Sequence, residues 1–188
     1  MTDAALLDLF RRSGALLDGH FRLSSGLHSG AYLQCALVLQ QPSEAEVIGR
    51  ALADSVRELR PTVVLAPALG GIIIGHEVAR ALGVRAIFAE RQDGVLTLRR
   101  GFTISPSDRV LVVEDVLTTG GSTRETIAVA DAAGAPVVGV ASIVDRSGGA
   151  VRFDVPFRSL ADVAVPLYEP DACPWCSKGV PVVKPGSR

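Results

Sequence analysis

Residues 110–124 read VLVVEDVLTTGGSTR, and they are the most informative segment for the architecture of the chain. An apolar run ends in two adjacent acids, Glu114 and Asp115, and continues into a loop of small hydroxyl residues and glycines. We predict a buried strand, a tight turn and the start of a helix. The acids would then lie at the carboxyl end of a strand, which is where open parallel sheets bind their ligands.

The loop after the acids has the composition of a phosphate-binding site. Backbone N–H groups and hydroxyls can face an anion, the positive end of the following helix lies behind them, and glycine permits close approach. The predicted phosphate ligands are Thr118, Thr119, Gly120, Gly121, Ser122 and Thr123. Carboxylates beside a phosphate suit ribose hydroxyls or a divalent cation, so a ribose 5-phosphate fits both halves of the motif.

Two other nucleotide-binding motifs are excluded, because no lysine follows the glycines as in a Walker A loop and the G-x-G-x-x-G spacing is absent. An ordinary strand, turn and helix without a ligand is the alternative to a binding site. The surrounding pattern alternates strands, at 63–66, 86–89, 110–114 and 137–144, with helices at about 72–82 and 122–133. Such alternation predicts a central parallel sheet flanked by helices.

The N-terminal part has a different pattern. Thr2 can cap a helix that carries Leu6, Leu9, Phe10 and Leu17 on one face. Residues 20–39 alternate and contain turn formers, which predicts short antiparallel strands, called here the hood. We expect one domain over residues 1–188, with the helix and hood at about 1–42, an α/β core at 43–146 and a C-terminal segment at 147–188.

The composition of the chain limits the classes of partner that it could bind. The chain has 188 residues, 48% of them hydrophobic, and a net charge of −1. Balanced charge without a basic run argues against a nucleic-acid partner. The N-terminus has neither a basic start nor a cleavage signal, and no apolar stretch reaches the roughly 18 residues of a membrane span, so we expect a cytoplasmic protein without membrane contact.

Cys173 and Cys176 form C-P-W-C, a spacing found in zinc knuckles and in redox sites. No second C-x-x-C and no nearby histidine accompany it, so we favour a reduced pair in a packed tail and assign no metal ligand. The three histidines, His20, His28 and His76, are each assigned to a turn or a helix surface.

The acidic strand and T-T-G-G-S-T loop resemble the phosphoribosyl diphosphate (PRPP) motif of the type I phosphoribosyltransferases. Residues 21–32, FRLSSGLHSGAY, further resemble the hood signature of the orotate phosphoribosyltransferases. Six positions match that signature: Phe21, Leu23, Ser25, Gly26, Ser29 and Tyr32. Ser24 replaces the family's lysine, and one extra residue separates Ser29 from Tyr32.

The resemblance assigns roles to three further segments. The turn in APALGGIIIG, residues 66–75, would contact the diphosphate through Gly70 and Gly71, although Gly70 stands where orotate-using members often carry lysine. Arg146, after the strand 137–144, would bind the orotate carboxylate, whose planar shape suits a guanidinium. A surface ion pair with Asp145 is the alternative.

Arginines at the place of the family's mobile loop complete the predicted site. The resemblance implies that Arg91 contacts the diphosphate and that Arg99 or Arg100 closes over it. It also implies a homodimer in which this loop reaches into the site of the neighbouring subunit. A solvated hairpin of arginines is the alternative.

The resemblance implies transfer of a phosphoribosyl group from PRPP to orotate, with Mg²⁺ as cofactor. The implied catalytic residues are Arg91, Arg99, Arg100 and Asp115; the orotate ligands are Ser25, Gly26, Tyr32, Thr119 and Arg146. Two alternatives remain: a purine or xanthine phosphoribosyltransferase, and a non-catalytic PRPP-sensing regulator.

Overall fold

The computed structural model describes residues 2–23, 26–163 and 166–184. The helices in these residues are α1 (Asp3–Arg12), α2 (Ala36–Leu39), α3 (Pro42–Val56), α4 (Gly71–Leu82) and α5 (Gly121–Ala132). The strands are β1 (Leu16–Arg22), β2 (His28–Leu33), β3 (Val63–Pro67), β4 (Arg85–Gln92), β5 (Val95–Leu98), β6 (Val110–Leu117), β7 (Val137–Asp145), β8 (Phe157–Asp162) and β9 (Leu167–Tyr168).

The larger sheet has the order β5-β4-β3-β6-β7-β8, and its strands are parallel except for β5, which returns antiparallel to β4. Its inner strands are continuous apolar runs because both faces are covered. Successive residues point to opposite faces, so Val64 packs with α3 and α4 while Val63 and Leu65 pack on the other side with α5. The predicted fold class is confirmed.

The smaller sheet, β1-β2-β9, is antiparallel and forms the hood. Leu33 at the end of β2 belongs to the same hydrophobic cluster as Leu6 and Phe10 of α1 and Ile48 of α3. The hood is therefore packed against the core and positioned by it.

Three details differ from the sequence predictions. Leu17 lies in β1, because α1 ends at Arg12. Ser43 followed by Glu46 is the pattern of a capping box, but helix α3 begins at Pro42 with Gln41 as its N-cap, so Ser43 is not the capping residue. Strand β8 was missed, because its mixed polar and apolar sequence is that of a strand at the edge of the sheet.

The order of the strands fixes the position of the functional site. Since β3, β6 and β7 run parallel and adjacent, the segments that follow them meet at one edge of the sheet. No helix among the described residues is both long enough and apolar enough to cross a membrane.

Candidate active site

The two acids of β6 point to different neighbours. Glu114 is buried; the Ser122 hydroxyl donates to its Oε2 at 2.7 Å, and the Asp115 N–H donates to its Oε1 at 3.3 Å. Asp115 is half-buried, and its Oδ1 accepts from the Val116 N–H at 2.8 Å. Glu114 is thus held against the start of α5, while the Asp115 carboxylate remains partly open to solvent.

Burial and the neighbouring charge of Asp115 raise the pKa of Glu114 to about 8, although the Ser122 hydroxyl opposes the shift. Glu114 therefore carries a proton at neutral pH in this state. A ligand that brings positive charge or hydroxyl donors to the acidic pair would favour its ionised form.

Cys35 lies beneath the acids and is 1% exposed. Burial, followed by the charges of Asp115 and Glu114, raises the pKa of its thiol well above the usual range. A neutral buried thiol is a poor nucleophile, so Cys35 serves packing in the hydrophobic core.

The loop after β6 turns through Gly120, which has a φ of 75°. A Cβ at this position would lie 2.9 Å from Cγ1 of Val151, so both the backbone angle and the space require glycine. Helix α5 begins at the next residue, and the N–H groups of its first turn have no carbonyl partner within the helix. The loop thus presents the anion-binding end of a helix at the edge of the sheet.

The hydroxyls of the loop are not equivalent. Thr118 and Thr119 are exposed, whereas the Ser122 hydroxyl donates to Glu114 and the Thr123 hydroxyl is buried with no partner among the described residues. Side-chain contact with a phosphate is therefore available from Thr118 and Thr119. In this state Ser122 and Thr123 can offer only their backbone N–H groups.

The turn after β3 lies against Asp115. A Cβ on Gly70 would stand 2.8 Å from both oxygens of that carboxylate. Gly71 is buried, and a Cβ there would lie 3.0 Å from the carbonyl oxygen of Val113. The two glycines bring the backbone of the turn next to the acidic strand, as a diphosphate site beside a ribose site would require.

Arg146 follows β7, and its N–H donates to the carbonyl of Leu117 at 2.7 Å, beside the phosphate loop. Its guanidinium reaches the hood through a long contact of 3.5 Å from Nη2 to Oγ of Ser29. Burial lowers the pKa of Arg146, and its buried Nε has no hydrogen-bond partner within residues 2–23, 26–163 and 166–184. Asp145 accepts from the Ser147 N–H instead of pairing with it.

Among the described residues no carboxylate pairs with Arg146. The alternative of a surface ion pair is thus not what the structure contains. A partly desolvated cation without a counter-charge is costly, and it suits an anionic ligand bound between the hood and the phosphate loop.

The chain is similar to proteins of known family. A family model described as the phosphoribosyl transferase domain matches residues 36–164. The orotate phosphoribosyltransferase of Carboxydothermus hydrogenoformans is 56% identical over 185 residues, 97% of each chain. The chain belongs to the orotate phosphoribosyltransferase family.

Two further relatives agree. The orotate phosphoribosyltransferase of Pelotomaculum thermopropionicum is 53% identical over 188 residues, all of this chain and 99% of that one. The crystal structure of the Aeropyrum pernix orotate phosphoribosyltransferase superposes with a TM-score of 0.72 at 27% identity, covering 84% of this chain and 93% of that chain. The predicted family is confirmed. The prediction that the chain is an enzyme is confirmed with it.

The arginines predicted to be catalytic in this orotate phosphoribosyltransferase family member are paired with carboxylates here. Arg91 donates to the Gly94 carbonyl at 2.6 Å and pairs with Glu125 of α5 at 2.8 Å. Arg100 pairs with Glu90 at 3.0 Å, and Arg99 lies 3.9 Å from the same carboxylate. All three side chains are half-exposed, so these pairs are weak enough to exchange for a diphosphate.

For the segment that carries Arg99 and Arg100, the sequence is compatible with a mobile loop or a solvated hairpin. A hairpin is present, since β5 pairs antiparallel with β4, and Arg99 and Arg100 follow it. Arg100 has a φ of 59°, which is unusual for a residue other than glycine. Direct contact of these arginines with a substrate stays a prediction.

The hood contributes less to the site than the signature implies. Ser25 lies outside the described residues, and Gly26 is an exposed turn residue with a φ of 89°. The Tyr32 hydroxyl donates to Gln34 at 3.3 Å, and its ring lies against Phe21. Contact of Gly26 or Tyr32 with orotate stays a prediction.

Ser29 was matched to the signature but given no role, and the structure brings its hydroxyl to Arg146. Its position in the S-G-x-x-S pattern was the available signal. Glu90 and Glu125, the partners of the arginines, carried no comparable signal, because those pairs depend on how the hairpin and α5 pack.

Proposed function

We propose that this member of the family transfers the 5-phosphoribosyl group of PRPP to orotate, giving orotidine 5′-monophosphate and diphosphate. The observation that supports the proposal is Arg146, which is partly buried beside the phosphate loop and has no carboxylate partner in the described part of the chain. Its guanidinium would bind the orotate carboxylate in a fork, and a neutral purine offers no such anion.

PRPP would lie across the edge of the sheet. The first turn of α5, with Thr118 and Thr119, would hold the 5-phosphate, and Asp115 and Glu114 would accept hydrogen bonds from the ribose hydroxyls. The turn at Gly70 and Gly71 would face the diphosphate. These contacts place the anomeric carbon next to orotate, so the protein contributes chiefly positioning and electrostatics.

The residues fit a requirement for Mg²⁺. Hard oxygen donors are what this ion prefers, and Asp115 offers a half-exposed carboxylate beside the diphosphate turn. When bound with PRPP, the ion would neutralise charge that develops on the departing diphosphate. Arg91 with Arg99 or Arg100 would add positive charge there. Orotate is already an anion at neutral pH, so no strong general base is needed.

A homodimer is part of the proposal. The β4–β5 hairpin is exposed at its tip, where Val95 is 62% exposed, and Leu69 at the diphosphate turn is 85% exposed. A second copy covering these apolar side chains would put Arg99 and Arg100 near a neighbouring site. Light scattering after gel filtration tests this, and a monomer at assay concentration would refute it. We also propose a cytoplasmic location, in keeping with phosphorylated substrates and three free cysteines.

The activity is tested by incubating the protein with PRPP, Mg²⁺ and one base at a time. We expect orotate to disappear and diphosphate to form in equal amounts, with adenine, hypoxanthine and xanthine inert. Turnover of xanthine or a purine without orotate turnover would support the purine alternative. PRPP binding without any turnover would support the regulator.

Binding of PRPP with Mg²⁺ at pH 7 is expected to release up to about one proton from Glu114, because its pKa of about 8 falls when the ligand stabilises the carboxylate. Calorimetry in two buffers of different ionisation enthalpy measures this release. Glu114→Gln should lose it. Equal proton release by both proteins would show that Glu114 does not titrate with binding.

The same group predicts a pH dependence of stability. The folded pKa of Glu114, about 8, lies above the ordinary 4.5, so its contribution to folding is present below pH 4.5 and is lost as the pH rises through 8. The stability of the wild type should therefore fall relative to Glu114→Gln over this range. Urea unfolding at several pH values measures the difference, and a constant difference would contradict the assignment.

Gly120→Ala is expected to destabilise the fold by about 1–3 kcal/mol, because the new methyl meets Val151 and the backbone angle is unfavourable. It should also raise the KM for PRPP. Gly14→Ala is the matched control, since Gly14 has a φ of 71° but open space around it. Equal losses of stability and unchanged PRPP kinetics would show that the close packing at Gly120 is unimportant.

A further inference from the structure

Four potential metal ligands converge between the hood and the C-terminal segment. They are His20 of β1, His28 of β2, and Cys173 and Cys176 of the C-terminal segment. One donor atom from each lies within 4.8 Å of all the others. Three of the four residues are buried, and Cys176 is exposed, so the cluster has one side open to solvent.

The distances between donor atoms match a tetrahedral site. Nε2 of His20 lies 3.4 Å from Sγ of Cys173 and 3.7 Å from Sγ of Cys176, which itself lies 3.3 Å from Nδ1 of His28. Around a tetrahedral zinc ion, with Zn–S of about 2.3 Å and Zn–N of about 2.0 Å, such N···S separations are about 3.5 Å. The two nitrogens, at 2.9 Å, need to separate by only a few tenths of an ångström.

The surroundings orient one of the ligands. Nδ1 of His20 lies 2.8 Å from the carbonyl oxygen of Val180, to which it donates, and this leaves the lone pair of Nε2 directed at the two sulfurs. A second ring nitrogen bonded to a backbone carbonyl is the usual outer contact of a metal-binding histidine. Cys173 and Cys176 are free thiols rather than a disulfide, so both sulfurs remain available.

We propose that His20, His28, Cys173 and Cys176 bind one zinc ion that fastens the C-terminal segment to the hood. Two thiolates and two imidazoles form a closed set of four ligands, which is the pattern of structural zinc rather than of catalytic zinc or magnesium. The prediction that the cysteines form a metal-free pair considered only histidines nearby in sequence, whereas His20 and His28 approach from the opposite end of the chain.

The aromatic packing supports a fixed geometry at this place. Trp175 lies between the two cysteines in the sequence. Its ring stacks on that of His20, with 6.1 Å between the ring centroids, and packs edge to face on Tyr168 of β9, with 5.5 Å between the centroids. It covers Gly30 of β2 so closely that a Cβ there would lie 2.6 Å from the indole. The next residue after His28 is Ser29, which contacts Arg146, so the ion would brace the strand that faces the orotate site.

The test is the zinc content of the purified wild-type chain after dialysis against zinc and gel filtration, measured by elemental analysis. We expect about one zinc per chain, bound tightly enough to survive gel filtration. The double variant Cys173→Ser/Cys176→Ser should lose it. His76→Ala is the matched control, because His76 is an exposed histidine outside the cluster, and it should keep the full content.

A wild type without zinc, or a double variant with equal zinc, would overturn the proposal. An intact mass two hydrogens below the reduced mass, without metal, would overturn it in favour of a disulfide. If the double variant fails to fold, the site is tested instead by replacing zinc with Co²⁺ in the wild type and recording the absorption spectrum. Thiolate-to-cobalt charge-transfer absorption with the intense visible bands of a tetrahedral ion supports the site, and a spectrum without them refutes it.

Discussion

Replacing Arg146 by alanine is expected to raise the KM for orotate about 30-fold or more, with little change in PRPP binding. Loss of one partner from a partly buried, hydrogen-bonded charge pair costs about 2–5 kcal/mol, and each 1.4 kcal/mol is tenfold in affinity. The orotate carboxylate would be left without its counter-charge. The variant should fold, because the one side-chain hydrogen bond that Arg146 makes within the described residues is a long one, to Ser29.

Steady-state kinetics with each substrate varied measures the effect, and calorimetry with PRPP provides the second readout. Arg146→Lys should fall between wild type and alanine, since an ammonium keeps the charge but loses the fork. Arg158→Ala is the matched control, because Arg158 is a half-exposed arginine on the neighbouring strand β8. A normal KM for orotate in Arg146→Ala would place the base elsewhere.

Asp115→Asn is expected to raise the KM for PRPP by about 10- to 100-fold and to leave the fold intact. A hydrogen bond to a charged group contributes about 1.5–3 kcal/mol, and the amide keeps the shape of the carboxylate but not its charge. Stability should change little, because Asp115 is half-buried and the amide oxygen can keep the hydrogen bond from the Val116 N–H.

The kinetics should be read with circular dichroism and thermal melting of the same samples. Asp131→Asn is the matched control, since Asp131 is an exposed acid near the far end of α5. Both variants should melt close to the wild type, and only Asp115→Asn should need more PRPP. Unaltered PRPP kinetics in Asp115→Asn would mean that the ribose site lies away from the acidic pair.

The local parts of this site were predictable from the sequence. Residues 110–124 form the expected strand, turn and start of a helix. The apolar run, the glycines and the hydroxyl residues each favour a backbone conformation within a few positions of themselves, so this pattern can be recognised locally. The direction of individual hydroxyls was not predictable: Ser122 bonds Glu114 and Thr123 faces the core only because α5 packs on β6 as it does.

Features that join distant segments were missed for a physical reason. His20 and Cys173 are 153 positions apart, and no periodicity connects them. Their meeting depends on the hood strands pairing with one another and on the C-terminal segment returning to bridge Phe21 at Val183. The pairing of Arg100 with Glu90 likewise follows from the β4–β5 register, which sequence spacing does not fix.

The close approach of Gly70 to Asp115 ties two parts of the site together in evolution. Any side chain at residue 70 would occupy the space of that carboxylate, so a relative with lysine there must hold its acid in another rotamer or shift the turn. Grafting a lysine alone into this chain would disturb the pentose site before it could assist the leaving group.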